Sequence, residues 1–258
     1  MQFDALGRLT VVFCALRLLP STALLAQEKV LPVQETRPGW YIGRRIAPTM
    51  SASGAAWLIR KTRDHEEQPR KLLKSLEVKP GQQVCDFGCG NGFYSLKLAS
   101  RVGPHGKVFA VDIQQEMLDL LAERAQPRGL SNIEPVLATL TDPKLPERQL
   151  DLILMVDVYH ELSSPALILQ ALHVSLNTTG RLVLVEFREE DPQVPIRPLH
   201  KMSQPQVMKE ISANGFKLVG QFDELPWQHV LFFARRDSTL PERQLKPWQP
   251  QKSLQGGP

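Results

Sequence analysis

The chain has 258 residues, 22 % of them charged and 42 % hydrophobic, with a formal net charge of +4. This supports one core of ordinary size, and the mixed charges, without any lysine or arginine block, exclude the footprint of a nucleic-acid binder. Three cysteines, Cys14, Cys85 and Cys89, form no disulfide framework.

The opening segment, MQFDALGRLTVVFCALRLLPSTALLAQ, has an early Arg8, an apolar run, and small residues before Ala26-Gln27. Residues 1–26 thus have the outline of a secretory signal, with Arg17 interrupting the apolar core and Asp4 diluting the positive start. Cleavage would send the protein to the periplasm or outside the cell; uncleaved, it would stay in the cytoplasm. The uninterrupted run is too short to span a bilayer, so no stable membrane span is expected in the mature chain.

Residues 27–50 are rich in Pro and Gly and read as an irregular lead-in. Ser51 to Glu77 reads as helix in two pieces, broken near Gln68-Pro69. The main domain spans 78–236. A short strand at 84–87 enters a glycine-rich loop, and a helix from Phe93 to Val102 ends at Gly103-Pro104. A second strand follows at 107–112, a helix at 114–128 closed by Gly129, and a third strand at 133–138. The fourth strand, 150–157, is nearly all apolar, as a strand covered on both faces should be. A helix at 165–176, closed by NTTG, leads to a fifth strand at 181–187. A proline-spaced loop, a helix at 204–214 and two strands that can pair antiparallel complete the domain. This order predicts a Rossmann-like, doubly wound α/β sheet of seven strands, mostly parallel with one antiparallel strand. Residues 237–258 read as a disordered tail. LPERQL occurs at 145–150 and again at 240–245, and the sequence offers no physical reason for it.

The stretch VCDFGCGNGFYS, residues 84–95, carries Gly88, Gly90 and Gly92 at alternate positions. A strand that ends in such a turn and feeds a helix brings backbone N–H groups close to a ligand. The spacing is G-x-G-x-G, with Phe93 where a dinucleotide fingerprint needs its third glycine, and no G-K-[ST] follows. A loop without lysine, preceded by Asp86, suits a ligand with a cationic amino-acid end. Asp112 ends the next strand, where a carboxylate accepts both ribose hydroxyls. The ligand therefore has a ribose and no phosphate.

VCDFGCGNG, VFAVDIQQEML, LDLILMVDVYHEL and GRLVLVEF, in this order and spacing, resemble the motifs of the class I S-adenosylmethionine-dependent methyltransferases. The resemblance covers about residues 70–234. It is closer to small-molecule enzymes of the ubiquinone-biosynthesis type. It is closer still to a bacterial group with similar EDPxVPI, LHKM and LPWQH stretches, often behind an export-like leader. It implies S-adenosylmethionine as cofactor and a small-molecule or lipid-like acceptor. Gly88, Cys89, Gly90, Asn91 and Gly92 would form the cofactor loop, with the glycines along the methionine part. Asp86 would orient the amino group, Asp112 hold the ribose and Ile113 pack on adenine. Asp142 would meet the adenine amino group, with Thr141 equally close in spacing.

Methyl transfer is an in-line displacement on an activated carbon, so the protein mainly positions the acceptor and excludes water. The fourth strand ends at the crevice beside the glycine loop. This places Asp157 against the cofactor and Tyr159, His160 and Glu161 near the acceptor. His160 is the expected base, its tautomer fixed by Glu161 or by Glu186 at the end of the fifth strand. His200, in the proline-spaced loop, is a candidate acceptor-binding residue. No local ligand spacing supports a metal made from His160, Glu186 and His200, or zinc at Cys85 and Cys89. Tyr41, Met50 and Trp57 are candidates to close over the cofactor. Two other readings stand beside this one: aminopropyl transfer, and a binding protein that kept the fold without turnover.

Overall fold

The computed structural model describes residues 37–250. The leader expected over 1–26 lies outside the described residues. Among them no helix is long and apolar enough to cross a membrane.

The lead-in forms a two-residue hairpin, β1 (Trp40–Tyr41) and β2 (Arg44–Arg45), then a 3₁₀ turn at Ala52–Ile59 and helices α1 (Arg63–Glu67) and α2 (Pro69–Ser75). The break at Gln68-Pro69 is where the sequence placed it: Gln68 is left-handed at φ 46 and Pro69 opens α2. The helical stretch has three pieces rather than two, because the 3₁₀ turn ends at Arg60.

The main sheet contains β3 (Gln83–Phe87), β4 (Lys107–Asp112), β5 (Ile133–Leu137), β6 (Leu150–Val156), β7 (Leu176–Arg188), β8 (Lys201–Met202), β9 (Phe216–Phe222) and β10 (Gln228–Arg235). Its path runs β5-β4-β3-β6-β7-β10-β9, the seven expected strands, and only β10 runs antiparallel to its neighbours. The two-residue β8 is an addition. It pairs with Phe187 and Arg188 on the side of β7 that β6 has vacated. The NTTG stretch does not close a helix. β7 begins at Leu176, and residues 177–180 bulge between the pairs Leu150–Leu176 and Leu152–Arg181.

Alternate side chains feed opposite faces of the sheet. Cys85, Phe87, Ile153 and Met155 pack against Leu169 and Leu172 of α5 (Pro165–Ser175) and Val207 of α6 (Gln204–Ala213). Val84, Leu152 and Leu154 pack on the other face against Leu72 of α2, Leu76 just after it, and Leu98 of α3 (Ser95–Val102). Because β6 is covered on both faces, its sequence has no polar alternation. Helix α4 (Gln115–Ala125) covers β4 through Leu118 and Leu121. Strand order reverses at the β3–β6 junction, so the crevice at the carboxyl ends of these strands is the expected ligand position.

Residues 238–250 do not behave as the disordered tail read from the sequence. The Arg243 N–H donates to Leu218 O at 2.8 Å, Leu245 packs on the core, and the Arg188 guanidinium lies 4.5 Å from the Trp248 ring centre.

Candidate functional site

A cavity of about 760 Å³ opens at the carboxyl ends of β3, β4 and β6, within the range of roughly 300–1,000 Å³ usual for small-molecule sites. Gly88 and Gly90 form its floor, with φ of 70 and 52. A Cβ on Gly88 would meet Val158 Cγ2 at 2.5 Å, and one on Gly90 would collide with Leu58 Cδ1. Glycine is therefore required there both by conformation and by close approach. Gly92 serves packing instead. A Cβ there would strike Leu121, so its absence lets the loop settle on α4.

Asp112 lines the cavity with its carboxylate preset by backbone donors, Gly90 N–H to Oδ2 at 2.9 Å and Gln114 N–H to Oδ1 at 3.0 Å. Burial raises its pKa, and these donors oppose the rise. The carboxylate keeps free lone pairs for ligand hydroxyls. Ile113 lines the cavity beside it, exposed.

Asp157 follows β6 in a left-handed conformation at φ 55, held by its N–H to Val185 O at 2.8 Å. Its Oδ2 accepts from Gln228 at 2.7 Å, while Oδ1 is buried without a partner. Burial, then Glu67 and Glu186, push this carboxyl well above the usual range. Glu67 comes from the lead-in, clamped by Arg60 at 2.6 Å and Arg63 at 2.7 Å, and all three line the same cavity. Arg63, in the same wall, partly offsets these carboxylates, but no hydrogen bond from the described residues reaches Asp157 Oδ1.

At the other end, the 3₁₀ turn Tyr159–Glu161 directs neighbouring side chains apart. His160 and Glu161 face the cavity. The His160 ring is held by Nδ1 to Glu186 Oε2 at 2.6 Å, and its Nε2 lies 3.1 Å from Nδ1 of His200. Glu161 Oε2 accepts Met50 N–H at 3.2 Å. Pro195, Ile196 and His200 bring the proline-spaced loop to the cavity wall.

Several expected site residues stand behind this surface. Glu186 is fully buried, accepting Tyr159 N–H at 2.9 Å as well as His160, so it acts through the imidazole. Tyr159 turns inward and donates its hydroxyl to Glu210 at 2.8 Å; it is not a cavity residue. Asp86 accepts the Ser95 hydroxyl at 2.6 Å beneath the loop. Asn91 points away, donating to Ala55 O at 2.9 Å, and so fastens the lead-in. Cys89 and Cys85 are buried in separate apolar clusters. Asp142 is exposed and closes a turn with Thr139; Ala138, Thr139 and Leu140 line the cavity in its place. Met50 and Trp57 do cover the cavity, whereas Tyr41 is buried and accepts from Asn214 at 2.6 Å. Arg60, Arg63 and Glu67 were missed. Their one sequence signal is a run of charges in a segment that also has to bury leucines.

A family model for a methyltransferase domain matches residues 78–234. The chain superimposes on the crystal structure of a SAM dependent methyltransferase from Aquifex aeolicus with a TM-score of 0.68 and 27 % identity, over 72 % of this chain and 98 % of that one. It is 36 % identical over 84 residues to Nocamycin O-methyltransferase of Saccharothrix syringae, covering 33 % of this chain and 30 % of that protein. It is 29 % identical over 150 residues to 2-phytyl-1,4-naphtoquinone methyltransferase of Nostoc sp., covering 58 % and 64 %. The match thus spans less than two thirds of the length of these curated relatives.

Proposed function

The chain belongs to the methyltransferase domain family, and from that premise we propose that it transfers the methyl group of S-adenosylmethionine to a small-molecule acceptor. The observation that carries this reading is a single cavity that joins the Gly88–Gly90 cradle and Asp112 to the polar group His160, Glu161 and His200. The chain's own groups fit the cofactor. Asp112 receives the ribose hydroxyls, Ile113 offers an apolar face to adenine, and Gly88 and Gly90 let the methionine part approach the backbone. The buried Oδ1 of Asp157, left without a hydrogen-bond partner, suits a donor such as the ligand's ammonium group.

Bound there, S-adenosylmethionine supplies a methyl already activated on sulfur: the S–C bond breaks as the acceptor bond forms, leaving a neutral thioether and, from an O–H acceptor, one released proton. The protein's part is to exclude water, align the acceptor and handle that proton. His160, held by Glu186 at Nδ1 and meeting His200 at Nε2, lines the acceptor end of the cavity. Pro195 and Ile196 shield that end. The names of the relatives, one an O-methyltransferase and one acting on a naphtoquinone, support an oxygen-bearing ring or lipid-like acceptor.

Titration calorimetry tests the cofactor site. Wild-type protein binds S-adenosylmethionine, and Asp112→Ala weakens binding by about 1–3 kcal/mol, since hydroxyls lose their acceptor. Unchanged affinity in the variant, or tighter binding of NAD by the wild type, would sink the assignment.

A further inference from the structure

His160 Nε2, His200 Nδ1 and Glu161 Oε1 form a triangle. The two nitrogens are 3.1 Å apart, and each is 3.8 Å from the carboxylate oxygen. The circle through its corners has a radius of about 2.1 Å, so an ion near its centre lies at the distance of roughly 2.0–2.2 Å that zinc takes from imidazole and carboxylate ligands. The two rings stand at 86° to one another, so they bring their nitrogens together without stacking.

We propose that these three side chains bind one divalent transition-metal ion at the acceptor end of the cavity. The surroundings fit such a site. His160 Nδ1 bonds Glu186 at 2.6 Å, which leaves Nε2 as the lone-pair nitrogen, the outer contact typical of metal-bound histidine. The second oxygen of Glu161 is held by Met50 N–H, which fixes the carboxylate. All three ligands line the cavity, so the remaining coordination positions face the space for the acceptor. Three protein ligands with open positions mark a catalytic rather than a structural ion. His160 and Glu161 are adjacent and His200 lies on a distant loop, so no local spacing announces the set.

The proposal deepens the methyltransferase reading and narrows its acceptor. An oxygen that binds the ion loses its proton to water more readily, and its lone pair is then free to form the new bond to carbon. That favours acceptors with an enol, phenol or hydroxyquinone oxygen. The alternative for the same geometry is a plain imidazole–imidazole hydrogen bond with no ion.

Zn²⁺ alone is the probe. Chelator-stripped full-length protein titrated by calorimetry should bind one equivalent. His200→Ala and Glu161→Gln should each weaken binding at least 100-fold, and Glu186→Gln by 10- to 100-fold through its hold on His160. The same variants should bind S-adenosylmethionine as the wild type does. That result shows that they fold, and it separates a failure here from a failure of the cofactor assignment. Absence of stoichiometric Zn²⁺ binding by the wild type, or equal affinity in His200→Ala and Glu161→Gln, overturns the proposal.

Discussion

Asp86 sits beneath the glycine loop with its carboxyl buried, accepting the Ser95 hydroxyl at the start of α3. Burial, opposed by the Ser95 bonds, raises its pKa from 3.8 to about 6. A carboxyl whose folded pKa exceeds its unfolded one holds protons more tightly in the fold. Its destabilising effect is therefore absent below the unfolded value, grows as pH rises through the window from 3.8 to about 6, and is complete above it. The shift corresponds to on the order of 3 kcal/mol. Asp86→Asn keeps an oxygen for Ser95 and cannot ionise. In urea unfolding, the stability difference between variant and wild type should move in the variant's favour by on the order of 2 kcal/mol between pH 4 and pH 7. The other titrating groups cancel in that difference. A constant difference would show that the carboxyl titrates normally.

The lead-in is the element that turns an open crevice into a cavity. Gln114, at the foot of α4, clamps it twice: its Nε2 donates to Met50 O at 2.9 Å and its Oε1 accepts Ala52 N–H at 2.8 Å. Trp57 and Ile59 of this turn remain exposed, and Ala55 is its buried residue. Gln114→Ala should speed amide exchange across 50–59 while leaving β3, β4 and β6 protected, and S-adenosylmethionine should dissociate faster. Unchanged exchange over 50–59 would mean that the other anchors, such as Asn91 to Ala55 O and Arg63 to Leu58 O, hold the segment without Gln114. The sheet beneath was legible because each strand carries its own signal: the apolar run of β6, the Asp-terminated β4 and the glycine exit from β3. The lead-in wall was not. Arg63 and Glu67 gain their meaning from Asp157, which comes much later in the chain. Nor could the sequence decide the turn at Tyr159–Glu161, where 3₁₀ geometry sends adjacent side chains to different sides. There the histidine and glutamate reach the cavity while the tyrosine enters the core.

At the scale of the molecule, an open sheet must protect both of its edges. On the β5 edge, Pro135 removes a donor and the exposed pair Lys107–Glu134 adds charge. The β9 edge is covered instead by the segment after β10. Besides the Arg243 bond to Leu218, Gln221 exchanges hydrogen bonds with Lys246, and the Trp248 N–H donates to Gln204 at 2.9 Å. The repeated LPERQL gains a physical parallel here. In both copies the arginine N–H donates to a backbone carbonyl, Arg148 to Val174 and Arg243 to Leu218, and the last leucine, Leu150 or Leu245, packs into the same apolar cluster. The composition of the segment, polar and proline-rich, hid this, because single anchors such as Leu245 and Trp248 leave no periodic trace. A chain ending at Asp237 loses those anchors, worth on the order of 2–3 kcal/mol together. Its melting temperature should fall by roughly 5–10 °C, and light scattering should rise with concentration as the bare β9 edge pairs between molecules. A chain ending at Pro250 keeps every one of these contacts and should melt above the Asp237 chain. Equal melting of the Asp237 chain would show that β9 is stable at the edge without its cover.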